Sequence, residues 1–131
     1  MIMDGIKIQG IMRIYKNGVL IHEIKNLIVN IGKNTLARML INRPSETLYY
    51  IHQIGVGDSF TPPSPSDTDL LGSSKLWKNI VSYTTTNNVA YYITNFDYTE
   101  ANFTWNEAGL RATNGSSTFL ISRLNIPSFT K

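Results

Sequence analysis

Histidine, cysteine and clustered carboxylates carry most acid–base, nucleophilic and metal chemistry in proteins, and this sequence offers few of them. There is no Cys, which excludes disulfides, thiolate nucleophiles and Cys-based zinc sites. The two histidines, His22 and His52, each sit between an isoleucine and a polar residue in a strand-like stretch, and read as half-exposed strand positions rather than ligands. Gly57-Asp58-Ser59 has the look of a lipase nucleophile block, but the serine needs a general base, and no His follows His52. Gly32-Lys33 fails as a phosphate loop, because position 27 is Leu and position 34 is Asn. Gly55-Val56-Gly57 lacks the third glycine of a dinucleotide fingerprint, since position 60 is Phe, and reads as a tight backbone passage. Asp58, Asp67 and Asp69 form the one acidic concentration; their spacing fits no calcium loop and suits caps and turns. Asn102 and Asn114 fall in glycosylation sequons, but the early acidic residue and missing basic n-region argue against a signal peptide, so both read as accidental. The sequence therefore predicts no enzyme, no cofactor and no metal.

Charge narrows the partners. The 131 residues carry 12 basic and 9 acidic groups, a formal net charge of +3. The split is +4 over residues 1–46, −3 over 47–74 and +2 over 75–131. No window clusters Lys and Arg, so the footprint of a nucleic-acid binder is missing. The 14 aromatics (7 Tyr, 5 Phe, 2 Trp) fall inside alternating strands, where core packing explains them better than base stacking does. No apolar run is long enough for a membrane span. With 42% hydrophobic residues, the length fits one folded domain over 1–131.

The elements follow from periodicity. Ile6, Ile8, Met12 and Ile14 alternate with polar residues, Asn17-Gly18 is a strong turn signal, and Val19–Lys25 returns, which predicts a hairpin. Leu36, Met39 and Leu40 recur at helical spacing within residues 30–42, and Arg43-Pro44 ends the segment. Residues 49–56 predict a strand. Residues 57–69, with Pro62, Pro63 and Pro65, predict an extended surface loop, with Ser66 or Asp67 capping a brief helical turn through Leu70 and Leu71. Trp77, Val81 and Tyr83 alternate on one face; Thr86-Asn87-Asn88 turns the chain. Residues 89–96 predict a strand buried on both sides, Phe103, Trp105 and Leu110 the next, and residues 119–126 a last strand stopped by Pro127. The expected class is mainly β, an antiparallel β-sandwich or small barrel with one short α-helix. Glu107 and Arg123 are expected to pair across strands as an exposed pair of about 0–1 kcal/mol.

Five segments read in order carry a resemblance: Asn26-Leu27-Ile28-Val29-Asn30-Ile31-Gly32-Lys33, Ile54-Gly55-Val56-Gly57-Asp58, Thr61 through Leu70, Ala101 through Leu110 with its Glu107-Ala108-Gly109-Leu110 block, and Phe119-Leu120-Ile121-Ser122-Arg123. This order resembles small tailed-bacteriophage virion proteins, including attachment domains of tail-fibre and tail-collar proteins. The resemblance implies a structural protein of the virion that contacts other capsid or tail proteins and forms a homo-oligomer, with a capsid-decoration role first and a tail or baseplate adaptor second. Longer fibre proteins continue into a shaft; an end at Lys131 favours a stand-alone piece.

The residues alone lead to a compatible expectation. A β domain without catalytic groups acts through its surface, and a proline-restricted loop loses little entropy on docking. Phe60, Pro62, Pro63 and Pro65 are the expected protein-contact residues, and residues 61–66 are expected to be removable without unfolding. The alternative of another class is a carbohydrate- or receptor-binding module with a face of Tyr91, Tyr92 and Trp105.

Overall fold

Asn17 and Gly18 both adopt positive φ (51° and 79°), the left-handed pair that a two-residue hairpin turn requires. They join β1 (Ile11–Lys16) to β2 (Val19–Lys25) in antiparallel register, as expected. The computed structural model describes residues 8–44 and 46–131, so Ile6 lies outside the described residues. The chain continues through β3 (Leu27–Ile28), α1 (Asn30–Leu40), β4 (Tyr50–Gly57), β5 (Lys75–Asn79), β6 (Ser82–Thr86), β7 (Val89–Ile93), β8 (Thr104–Thr113) and β9 (Thr118–Thr130). One five-stranded antiparallel sheet has the order β3-β9-β8-β4-β5; β1-β2 and β6-β7 form separate two-stranded sheets. The protein is thus mainly β with antiparallel sheets and a single short helix. Among the described residues the main sheet stays open at β3 and β5, and no barrel closes.

Register decides what each face carries. Val56, Ala108 and Leu124 stand opposite one another on β4, β8 and β9, and all three join Ile14 of β1 in one core cluster with Trp105 and Ile126. Trp105 is buried between Phe96 and Phe129, with ring centroids 5.1 and 5.0 Å away. A second cluster gathers Ile51, Ile80, Ala112 and Ile121, against which Leu36 and Met39 of α1 pack. Leu40 departs from the expected apolar stripe and is exposed, while Thr35 is buried, its hydroxyl donating to the Ile31 carbonyl at 2.8 Å. The helix lies so close to β9 that a Cβ on Gly32 would stand 2.7 Å from the Ile121 Cα.

Three expectations need correction. β7 is not buried on both sides: among the described residues it pairs only with β6, and Val89, Tyr91 and Ile93 are exposed while Tyr92 packs on the second cluster. Pro127 does not stop the last strand. The pairing slips between Trp105 and Glu107, so Pro127 falls where the ladder is interrupted and its missing N–H costs no sheet bond. No helical turn follows Ser66. The Asp67 carboxylate accepts the Ser64 N–H at 2.9 Å, and its own N–H donates to the Ser64 carbonyl, closing a turn instead.

The close approach of α1 yields a test. Gly32→Ala drives a methyl group into the β9 backbone, which cannot rotate away as a side chain would. Urea unfolding of the variant is expected to show a loss of about 3 kcal/mol; an unchanged midpoint contradicts the packing.

Candidate functional site: a strap anchored by buried charges

β4 and β5 are antiparallel neighbours, yet residues 58–74 intervene between them, far more than a hairpin needs. This segment crosses the sheet face opposite to Val56, Ala108 and Leu124. On that face, register aligns Gly57 with Glu107 and Asn125, and Gly55 with Gly109 and Arg123, so Glu107 and Arg123 are diagonal neighbours. They do pair, as the sequence suggested, but not in solvent: both are fully buried, with Arg123 Nε 2.7 Å from Glu107 Oε2. The exposed-pair figure therefore does not apply.

The strap completes the coordination of these charges. Arg123 donates from Nη1 to Asp67 Oδ2 at 3.2 Å and from Nη2 to the Thr61 carbonyl at 2.7 Å. Glu107 accepts the backbone N–H groups of Leu71 (3.1 Å) and Gly72 (2.7 Å). Asn125 also donates to Thr61 O, Asp58 accepts the Ser74 N–H, and the Asn30 N–H at the start of α1 donates to Pro65 O at 2.8 Å. That last bond satisfies one of the orphan donors of a helix that has no side-chain N-cap. Gly57 and Gly72 make room from both sides: a Cβ on Gly57 would overlap the Glu107 carboxylate, and one on Gly72 would stand 2.5 Å from Asp58 Oδ1 and 2.9 Å from Glu107 Oε1. The passage read at Gly55-Val56-Gly57 is thus a floor on which side chains lie flat. Trp77 occupies the space above Gly55.

A half-exposed ladder continues beside it. The Trp77 indole donates to Asp69 Oδ1 at 3.3 Å, Lys75 Nζ stands 2.8 Å from Asp69 Oδ2, and the Arg111 guanidinium lies 4.3 Å above the Trp77 ring. Burial pushes the Asp69 carboxyl up, but Lys75 and the N–H groups of Leu70 and Trp77 outweigh it and hold it below its usual value. Burial lowers the Arg111 pKa, with the Asp69 charge opposing.

The expected contact residues sit on the strap. Phe60 is 72% exposed, Pro62 and Pro65 are exposed, and Pro63 is half-buried. The remaining candidates do not converge. Asp58, Asp67 and Asp69 each serve a different partner, Ser59 Oγ accepts the Thr61 N–H, and the His22 ring lies against Phe129. Among the described residues no group of three His, Asp or Glu side chains is placed to hold a metal ion. Trp105 is buried, so Tyr91, Tyr92 and Trp105 do not share an open face. Residues 61–66 are tied into the fold rather than free of it: they supply the Thr61 carbonyl to Arg123 and the Pro65 carbonyl to α1. No family model, curated protein or solved structure matches the chain.

Two outcomes follow. Glu107→Gln leaves a fully buried guanidinium without its closest carboxylate, and Arg123→Met leaves two carboxylates without theirs. Each is expected to cost about 3–5 kcal/mol in denaturant unfolding; losses under 1 kcal/mol contradict the anchoring role. Burial, aided by the Arg111 charge and opposed by the hydrogen bond with the Arg111 carbonyl, lowers the His52 pKa from 6.5. The unfolded chain then binds the proton more readily. This contribution to stability is complete above pH 6.5 and is lost as pH falls through that value toward the lowered one. Urea midpoints from pH 8 to 5 are expected to fall less in His52→Gln than in the parent.

Proposed function

We propose that this chain is a non-enzymatic structural component of a tailed-phage virion, a small β domain that attaches to the capsid exterior through its strap. The observation that carries the reading is the anchoring of residues 58–74 by the buried Arg123–Glu107–Asp67 cluster. A segment tied at Thr61, Pro65, Asp67, Leu71 and Gly72 presents Phe60, Pro62 and Pro65 in one fixed arrangement, so little ordering entropy is lost on docking. The five segments that carry the resemblance to virion proteins all contribute to this anchor. They supply, in order, the Asn30 N–H, Gly57 with Asp58, Thr61 with Asp67, Glu107, and Arg123.

Phe60→Glu replaces the exposed ring without touching the anchor. The variant is expected to keep the parent's melting temperature while attaching about 30-fold more weakly to purified phage heads in co-sedimentation, as loss of a binding hot spot does. Attachment unaffected by Phe60→Glu removes the strap as the contact. Immunogold label on tails or baseplates instead of heads replaces the decoration role by an adaptor role, and absence from particles ends the reading.

A further inference from the structure

The sheet face crossed by the strap continues into one more row of side chains. Gln53, two residues before Gly55 on β4, stands opposite Arg111 of β8 and Asn79 of β5. Side chains alternate along a strand, so these three share the face of Glu107, Trp77 and Arg123. Asn79 is exposed, and Gln53 and Arg111 are half-buried.

A guanidinium can only donate, and this fixes the direction of every bond in the row. Arg111 Nε donates to Gln53 Oε1 at 2.6 Å. The Gln53 amide is thereby oriented, and its Nε2 donates to Asn79 Oδ1 at 2.9 Å. Both amide oxygens are then in use. What remains is N–H: the two Nη groups of Arg111, the second N–H of Gln53 and the Asn79 Nδ2, none of which has a partner among the described residues. The three side chains together offer donors and no free acceptor.

The donors are also held in place. The Arg111 guanidinium lies 4.3 Å above the Trp77 ring, which itself rests on Gly55. With its plane stacked and its Nε bonded, the Nη fork loses little freedom when a ligand arrives. Its charge is uncompensated at close range. Among the described residues no carboxylate stands within ion-pair distance of Arg111. The Asp69 oxygens nearby are taken by Lys75, the Trp77 indole and the Leu70 N–H. A lone cation beside the Asp69 charge suits a ligand with a single negative charge better than a phosphate dianion.

We propose that this row binds a carboxylate-bearing saccharide of the uronic-acid type, its carboxylate on the Nη fork of Arg111 and its ring and hydroxyl oxygens on the amides of Gln53 and Asn79. β8 and β5 lie two strand spacings apart, about 10 Å, so the ligand must carry acceptors along its length, as a chain of sugar rings does. An acidic peptide fits less well. It brings an N–H with each C=O, and the row has no acceptor for it. The inference stands apart from the virion reading, because none of the three residues belongs to the strap.

The test is a nitrogen-15 NMR titration of the full chain at constant ionic strength. The Trp77 indole N–H and the Arg111 Nε–H report on the row. The Trp105 indole, buried and bonded to the Ala101 carbonyl, reports on the fold. Tetragalacturonate is expected to shift the first two signals saturably and to leave Trp105 unmoved. Galactotetraose, its uncharged counterpart, is expected to bind at least about tenfold more weakly, and so is tetragalacturonate to Arg111→Lys, which keeps the charge but loses the fork and the Nε bond. Asn79→Ala, at an exposed position, is expected to weaken binding about fivefold, as loss of a neutral hydrogen bond does. An unmoved Trp105 signal verifies that each variant is folded. Absence of a saturable shift overturns the inference, as does equal binding of galactotetraose or an affinity indifferent to Arg111→Lys. Tighter binding of inorganic phosphate, or of an acetylated and amidated triglutamate peptide, also overturns it and makes the row a phosphate site or a protein contact.

Discussion

A buried guanidinium holds this structure's longest connection in place. Residues 58–74 are rich in Pro, Ser, Thr and Asp, and bury one sizeable apolar side chain, Leu70, so hydrophobic burial does little to fix them. The prolines also lack N–H groups and cannot extend the sheet ladder. What these residues do offer is carbonyls, a carboxylate and a few free N–H groups. Arg123 answers the first two and Glu107 answers the third, each from a strand that the core has already made rigid. Charges this deep are costly to desolvate, and they are tolerated because each guanidinium nitrogen of Arg123 and each carboxylate oxygen of Glu107 makes at least one hydrogen bond.

The glycines follow from the same constraint. Glu107 lies flat only because position 57 has no Cβ, and the strap passes above it only because position 72 has none. The closeness of α1 to β9 obeys a related rule at Gly32, and the strap in turn supplies the Pro65 carbonyl that the helix start needs. Helix, sheet and strap thus share one set of contacts.

Much of this was legible in the residues. Alternation and turn signals located the β1–β2 hairpin, the helix, and the turns at Asn17-Gly18 and Asn87-Asn88, because these are local effects. The Glu107–Arg123 pairing was legible too, but its burial was not. Burial depends on the strap folding back over the face of β8 and β9, a long-range event with no periodic signature. Residues 89–96 misled for the converse reason. Large residues on both faces signal double burial in a sheet centre, and the same pattern serves a projecting arm that leaves a face open. Pro127 misled because a register slip, invisible in sequence, excuses it from the ladder. Phe60, Pro62 and Pro65 are exposed as a surface loop predicts, whereas Pro63 is half-buried and the fixation of the segment had no signal in the sequence.

The central claim is that the strap is as firmly held as the sheet beneath it. Native-state amide hydrogen exchange measures this directly at Leu71 and Gly72, whose N–H groups are bound by Glu107. The account predicts that both exchange only through global unfolding, with the same denaturant dependence as the core amides of β8 and β9. Exchange at rates near those of an unstructured chain, while β8 and β9 remain protected, would contradict it.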